Sequence, residues 1–260
     1  MTFLQIKRAV CFKYAEFMKH SYLIMVCFAF AKANSQQTPP QLTGPQLLEK
    51  AIAYHDPKGN WSRFADSLEI LTTSPDMEDR TSNIKINLPA KSFELVSKRG
   101  DIVNEYTVLK DSIVTAAKMD LSQMDTTFVM GKEDFKRAVF MRDYYTYLYG
   151  LPMKLKDKGT VISYEVERKM LKEKEYLVLR ADYDPSVGSD IWFFYFDPET
   201  YRMEAYQFYK QKEPRVKDPK SGEFILLSEE YKTNGIKMPK VRKWYYNKND
   251  KYLATDTIVD

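Results

Sequence analysis

From residue 160 to the C-terminus, the chain is a succession of short segments rich in Val, Ile, Tyr, Phe and Trp, each closed by a turn. They read "TVISYEVE", "EYLVLRA", "IWFFYF", "YRMEAYQFY", "EFILLSEEY", "GIKMPKVRKWYY" and "KYLATDTIV". The separators are Asp182–Gly188, "DPET" at 197–200, "KDPKSG" at 217–222, "TNG" at 233–235 and "NKND" at 247–250. All are turn-forming, and none is long enough for the crossover that a parallel neighbour needs, so these strands pair antiparallel. The first half adds "SRFADSLEIL", "NIKINL", and "SFELVSK" joined through Gly100-Asp101 to "IVNEYTVL"; "SIVTA" extends that hairpin into a meander. The sum is one antiparallel sheet of about eleven or twelve strands, and sheets that large curl.

Only two segments carry helical periodicity. "QLLEKAIAYH" places Leu47, Leu48, Ala51 and Ile52 on one face, with Thr43 as N-cap, Pro45 in the first turn, and Asp56-Pro57 and Gly59 as the stop. In "GKEDFKRAVFMRDYYTYLYGLP", Glu133 and Asp134 oppose the helix dipole. There Phe140, Met141, Tyr144, Tyr145 and Leu148 form an apolar stripe, and Gly150 and Pro152 end it. The expected fold is mainly β (α+β): a large curved half-barrel, with the two helices packed as a lid over its concave face.

The N-terminus reads as an export signal. After Lys19 and His20 an apolar run extends from Tyr22 to Ala31, followed by small residues suited to signal peptidase. The run is shorter than the roughly 20 residues of a membrane span. We assign residues 1–35 to a signal peptide, with Met18 as an alternative start, 36–42 to a flexible tether and 43–260 to a single domain. A periplasmic or extracellular location follows, with no transmembrane span after cleavage.

Removing this leader changes the electrostatics. Of 40 Lys+Arg and 36 Asp+Glu, residues 1–35 hold five and one, so 40 less five faces 36 less one and the remainder is neutral at 35 each. The basic stripe required of a nucleic-acid binder is absent from this balance. Cys11, Cys27 and His20 leave with the leader, so no disulfide is available and His55 is the one remaining histidine.

Several stretches resemble a known family: "LLEKAIAYHDPKGNW", "RDYYTYLYGLPMKL", "ADYDPSVGSDIWFFYFDPETYRMEAYQF" and "NGIKMPKVRKWYYNKNDKYLATDTI". The chain is similar along nearly its whole mature length to an uncharacterised family of exported bacterial proteins, a domain of unknown function. That family is similar in fold to the periplasmic lipoprotein carriers (LolA/LolB-like). The resemblance implies an unclosed β-barrel with helices over an apolar cavity. It brings no activity, cofactor or catalytic residue with it.

The sequence lacks a dinucleotide fingerprint, a phosphate loop and a nucleophile elbow. One histidine cannot make a zinc site. Asp182, Asp184 and Asp190 do not follow the spacing of a known calcium loop, and a carboxylate-rich turn is the better account. We expect no cofactor and no metal.

His55, beside Asp56 and near Trp61, is the weak catalytic candidate, as a general base of a hydrolase. Neighbouring helical residues diverge by about 100°, so Asp56 cannot readily orient it, and a histidine in a last turn already has carbonyls to cap. We therefore read "AYHDPKGNW" as a helix stop that packs Trp61 onto the lid. "IWFFYF" is apolar on both faces, so each must meet the protein's own elements or a partner. The expected ligand cavity comprises Trp192, Phe194, Phe196, Tyr144, Tyr145 and Leu148, for a lipid, acyl chain or lipoprotein-like apolar ligand. An interaction scaffold using the convex face is the remaining alternative, and "KMLKEK" at 169–174 reads as a solvated hairpin tip.

Overall fold

The computed structural model describes residues 42–110, 113–123, 125–127 and 131–259. The expected leader and residues 36–41 of the tether lie outside them. Helix α1 spans Gly44–His55, with the Thr43 hydroxyl accepting from the Gln46 N–H and the Gln46 side chain accepting from the Thr43 N–H. This reciprocal cap satisfies two donors that a helix start otherwise leaves free.

Six strands follow: β1 (Ala65–Ser74), β2 (Met77–Asn87), β3 (Ser92–Arg99), β4 (Ile102–Leu109), β5 (Ile113–Asp120) and β6 (Asp125–Thr127). Helix α2 is Lys132–Tyr149. The second run comprises β7 (Thr160–Ile162), β8 (Glu167–Leu171), β9 (Lys174–Tyr183), β10 (Ile191–Phe196), β11 (Met203–Tyr209), β12 (Gln211–Glu213), β13 (Val216–Lys217), β14 (Glu223–Thr233), β15 (Ile236–Tyr246) and β16 (Tyr252–Val259).

Among the described residues the main sheet has 14 strands, 13 of them on an open path β6-β5-β4-β3-β2-β1-β16-β15-β14-β11-β10-β9-β7, with β8 also on β9. Every pairing is antiparallel, and the last strand zips onto the first. Expectation and structure differ in the short pieces. "TVISYEVE" is two strands, because the chain leaves the β9 edge between Ile162 and Glu167. The start of α1 occupies that gap: the Gly44 N–H donates to the Tyr164 carbonyl at 2.7 Å, and a Cβ on Gly44 would collide with the Ser163 carbonyl. β6 and the separate two-stranded β12–β13 ribbon are too short to show alternation.

Both helices cover the inner face, α1 against β9 and β15, and α2 against β3, β4 and β5. The inner core includes Leu47, Phe64, Ile84, Phe93, Phe194 and Phe196. The α2 stripe is turned from the expected one. Ala138, Tyr145, Leu148 and Tyr149 are its buried residues, whereas Phe140 is 55 % exposed.

The outer face carries a second apolar cluster, including Tyr176, Val178, Ile191, Phe193, Tyr195 and Tyr209. The ribbon and the β8 edge meet it. Lys217 lies 5.0 Å from the Phe193 ring centre and 4.5 Å from that of Tyr209, and Lys169 lies 4.7 Å from Phe193. Arg180 holds the ribbon tip by donating to the Arg215 carbonyl at 3.0 Å. The "KMLKEK" tip is a tight turn with Lys172 and Glu173 both at positive φ.

Because β10 is covered twice, Phe194→Ala and Phe193→Ala should each destabilise the protein by about 3–5 kcal/mol in urea denaturation. A loss below about 0.5 kcal/mol at Phe193 would show that the outer cluster stands in water.

Candidate functional site

The inner face is filled at its centre and open at one side of α2. There a groove of about 810 Å³ runs between the helix, the β2–β3 turn and the β9–β10 loop. Its apolar wall includes Ile86, Leu88, Phe93, Tyr144, Tyr147 and Trp192, with Phe140 and Val187 at the mouth.

Trp192 is fixed from behind. It stacks on Phe208 at 4.9 Å and Phe194 at 5.9 Å, and meets the Tyr147 ring edge-on at 5.4 Å. The Tyr147 and Tyr183 hydroxyls hydrogen-bond to each other, tying α2 to the end of β9. Burial pushes the phenols of Tyr144, Tyr147 and Tyr183 well above their ordinary range, so all three are neutral at physiological pH. Among the charged groups of the lining, Arg142 pairs with Asp143 and Lys154 with Asp157, and Lys91 and Asp190 line it as well. The lining holds no histidine and no cysteine.

The six residues expected at the cavity divide between groove and core. Trp192 and Tyr144 line the groove. Phe194, Phe196, Tyr145 and Leu148 are not among its lining residues; they are buried in the inner core. Ile86, Phe93, Tyr183 and Val187 were not foreseen. They come from the ends of β2, β3 and β9 and from the β9–β10 loop, which only the tertiary fold brings against α2.

The hydrolase reading of His55 meets a different environment from the open cleft it requires. His55 is 2 % exposed. Its Nε2 accepts from the Met203 N–H at 3.0 Å, so Nδ1 carries the proton and donates to the Lys237 carbonyl at 2.7 Å. Both nitrogens are occupied by backbone, and the ring staples α1 to β11 and β15. Asp56 faces elsewhere, accepting from the Asn60 and Trp61 N–H groups at 2.7 and 2.8 Å. Trp61 in turn lies against Gly150 at the end of α2.

The three aspartates weighed for calcium are also apart in role. Asp182 pairs with Arg180 at 2.9 Å, Asp184 caps its own turn through Ser186, and burial raises the carboxyl of Asp190. Among the described residues no three His, Cys, Asp or Glu side chains gather as a metal site.

A family model described as a family of unknown function (DUF6503) matches residues 19–260, and the chain belongs to that family. No curated protein matches it. Among solved structures, a LolA superfamily protein from Nitrosomonas europaea is similar at 14 % identity and TM-score 0.46, over 84 % of this chain and 92 % of that one. A DUF1329 family protein from Desulfovibrio piger is similar at 8 % identity and TM-score 0.46, over 82 % and 90 %. No helix among the described residues is long and apolar enough to cross a membrane.

The His55 staple has a pH signature. Burial lowers the imidazole from 6.5 to about 4, against the opposing effect of the Lys237 carbonyl. Between those values the unfolded chain binds more protons, so this contribution is complete above pH 6.5 and is lost as pH falls towards 4. It amounts to about 3 kcal/mol at most. His55→Ala should cost roughly 2–4 kcal/mol at pH 7.5, by orphaning two backbone groups, and should flatten the pH dependence of urea stability between 6.5 and 4.5. An unchanged slope would assign that dependence to other groups.

Proposed function

We propose that the protein is an exported, non-catalytic binder that holds one apolar ligand, a lipid or acyl chain, in the groove between α2 and the curved sheet. The observation that carries this reading is the groove itself. Its volume of about 810 Å³ falls within the few hundred to 1,000 Å³ typical of small-molecule sites. Its wall is aromatic and aliphatic, and its polar groups are confined largely to the rim.

The chemistry of the lining supports binding over reaction. The phenols are held neutral by burial, and the one lining carboxyl that burial raises, Asp190, has no histidine or nucleophilic thiol beside it in the groove. His55, the histidine such a reaction would call on, is committed to α1. Trp192 offers a preformed apolar surface, because the rings behind it fix its orientation before any ligand arrives. Each methylene buried there would add about 0.8 kcal/mol, so a single chain gives useful affinity. Export agrees with the apolar segment at Tyr22–Ala31 and with the small residues after it.

Native mass spectrometry of protein purified from an exporting host tests the reading. We expect a single acyl-bearing adduct, and Trp192→Ala and Val187→Asp should each reduce its occupancy at least about tenfold, the equivalent of 1.4 kcal/mol. A clean apo mass from that host, or adducts indifferent to both substitutions, contradicts it.

A further inference from the structure

The inner face also carries a polar row at the other end of the sheet from the groove. Cross-strand partners run from Arg242 on β15 to Asp256 on β16, Thr72 on β1, Arg80 on β2 and Arg99 on β3. Directly opposed residues share a face. This face is the inner one, because the next pairs along β2 and β3 are Ser82 opposite Ser97 and then the core residues Ile84 and Leu95.

Three guanidinium groups thus share the row with one carboxylate, and that carboxylate is already engaged. Asp256 accepts from the Thr72 hydroxyl at 2.6 Å and the Trp244 indole at 2.9 Å. Arg242 lies within the core, its own Nε also without a partner, donating to the Pro239 carbonyl at 3.0 Å beneath the Tyr149 ring, 4.0 Å from its centre.

Arg80 and Arg99 are not compensated in this way. They are like charges directly opposed across a ladder, an arrangement that destabilises a sheet. Arg80 donates to the Thr72 hydroxyl at 3.2 Å, and Arg99 donates to the Met77 sulfur at 2.9 Å, a weak acceptor. The Nε atoms of both are buried without a hydrogen-bond partner among the described residues. Neither is in an ion pair with a described carboxylate. Glu78, two residues before Arg80, is directed at Gly100 in the β3–β4 turn. The buried Ser82 hydroxyl donates to that of Ser97 at 3.5 Å, which leaves the Ser97 hydroxyl able to donate onward. Buried unsatisfied donors are costly and rare, and guanidinium forks beside hydroxyls suit an anion with several acceptor oxygens.

We propose that Arg80 and Arg99, with the Ser97 hydroxyl beside them, form a binding site for a phosphate-type oxyanion, either the free ion or the head group of an amphiphile. Such an anion would neutralise the opposed charges and accept from the guanidinium groups of the two half-buried arginines. The site stands about 20 Å along β2 from the groove residue Ile86, six residues away, so its occupancy is independent of the groove.

The test is an NMR titration of the arginine Nε–Hε resonances of the intact protein, in phosphate-free buffer of fixed ionic strength. Inorganic phosphate and dodecyl phosphate are the two titrants. Two resonances, assigned by their loss in Arg80→Gln and Arg99→Gln, should shift together and saturate. Each substitution should weaken binding roughly tenfold or more, the loss of one charge-assisted contact.

Saturation by both titrants supports a free-oxyanion site, and saturation by dodecyl phosphate alone, lost in the variants, supports a head-group site. Arg99→Gln should melt no lower than the wild type without phosphate, because it relieves the repulsion, and should lose the phosphate-dependent rise in Tm. If one variant fails to fold, the other still assigns its own resonance and tests the loss of binding. No saturable shift with either titrant up to about 10 mM, a concentration that reaches even weak millimolar sites, overturns the proposal. Equal affinity in wild type and variants overturns it too.

Discussion

A strand with no polar side has to be covered twice, and β10 imposes that demand on the whole molecule. Its Phe194 and Phe196 enter the inner core, while Ile191, Phe193 and Tyr195 form the outer one. The inner cover is helical and the outer is the β12–β13 ribbon with the β8 edge. Lysine ammonium groups lie over the outer rings, so the cover there is completed by cation–π contacts. The groove exists because the inner cover is incomplete at Trp192, the member of β10 that is only partly buried.

The two helices are anchored by different chemistry. α1 is fixed by hydrogen bonds, through a capping box at one end and His55 at the other, where a neutral imidazole joins two strand backbones. α2 rests chiefly on ring contacts, with Tyr145 over Phe93 and Tyr147 against Trp192.

Much of the architecture was legible because antiparallel strands advertise themselves locally. "TNG" at 233–235 and Gly100-Asp101 closed hairpins where expected, and Thr43 capped α1 as its sequence implies. Short elements escaped for the same reason: β6 and β12–β13 hold too few residues to alternate, and the break after Ile162 depends on Gly44, more than a hundred residues earlier. The site was less legible. Trp192 and Tyr144 could be named from aromatic stripes, but a stripe does not say which rings pack in the core and which face an opening. The β2–β3 turn and the β9–β10 loop have no sequence relation to α2, and only long-range packing sets Phe93 and Val187 beside it. The arginine row was hidden more deeply, since it depends on register across five strands.

A crystal structure of the protein purified from its exporting host tests the central claim most directly, because it reads the groove without substitution. The account predicts elongated electron density between α2 and Trp192, bounded by Tyr144 and Phe93. A groove holding only ordered water, with the acyl density on the outer face instead, would contradict it.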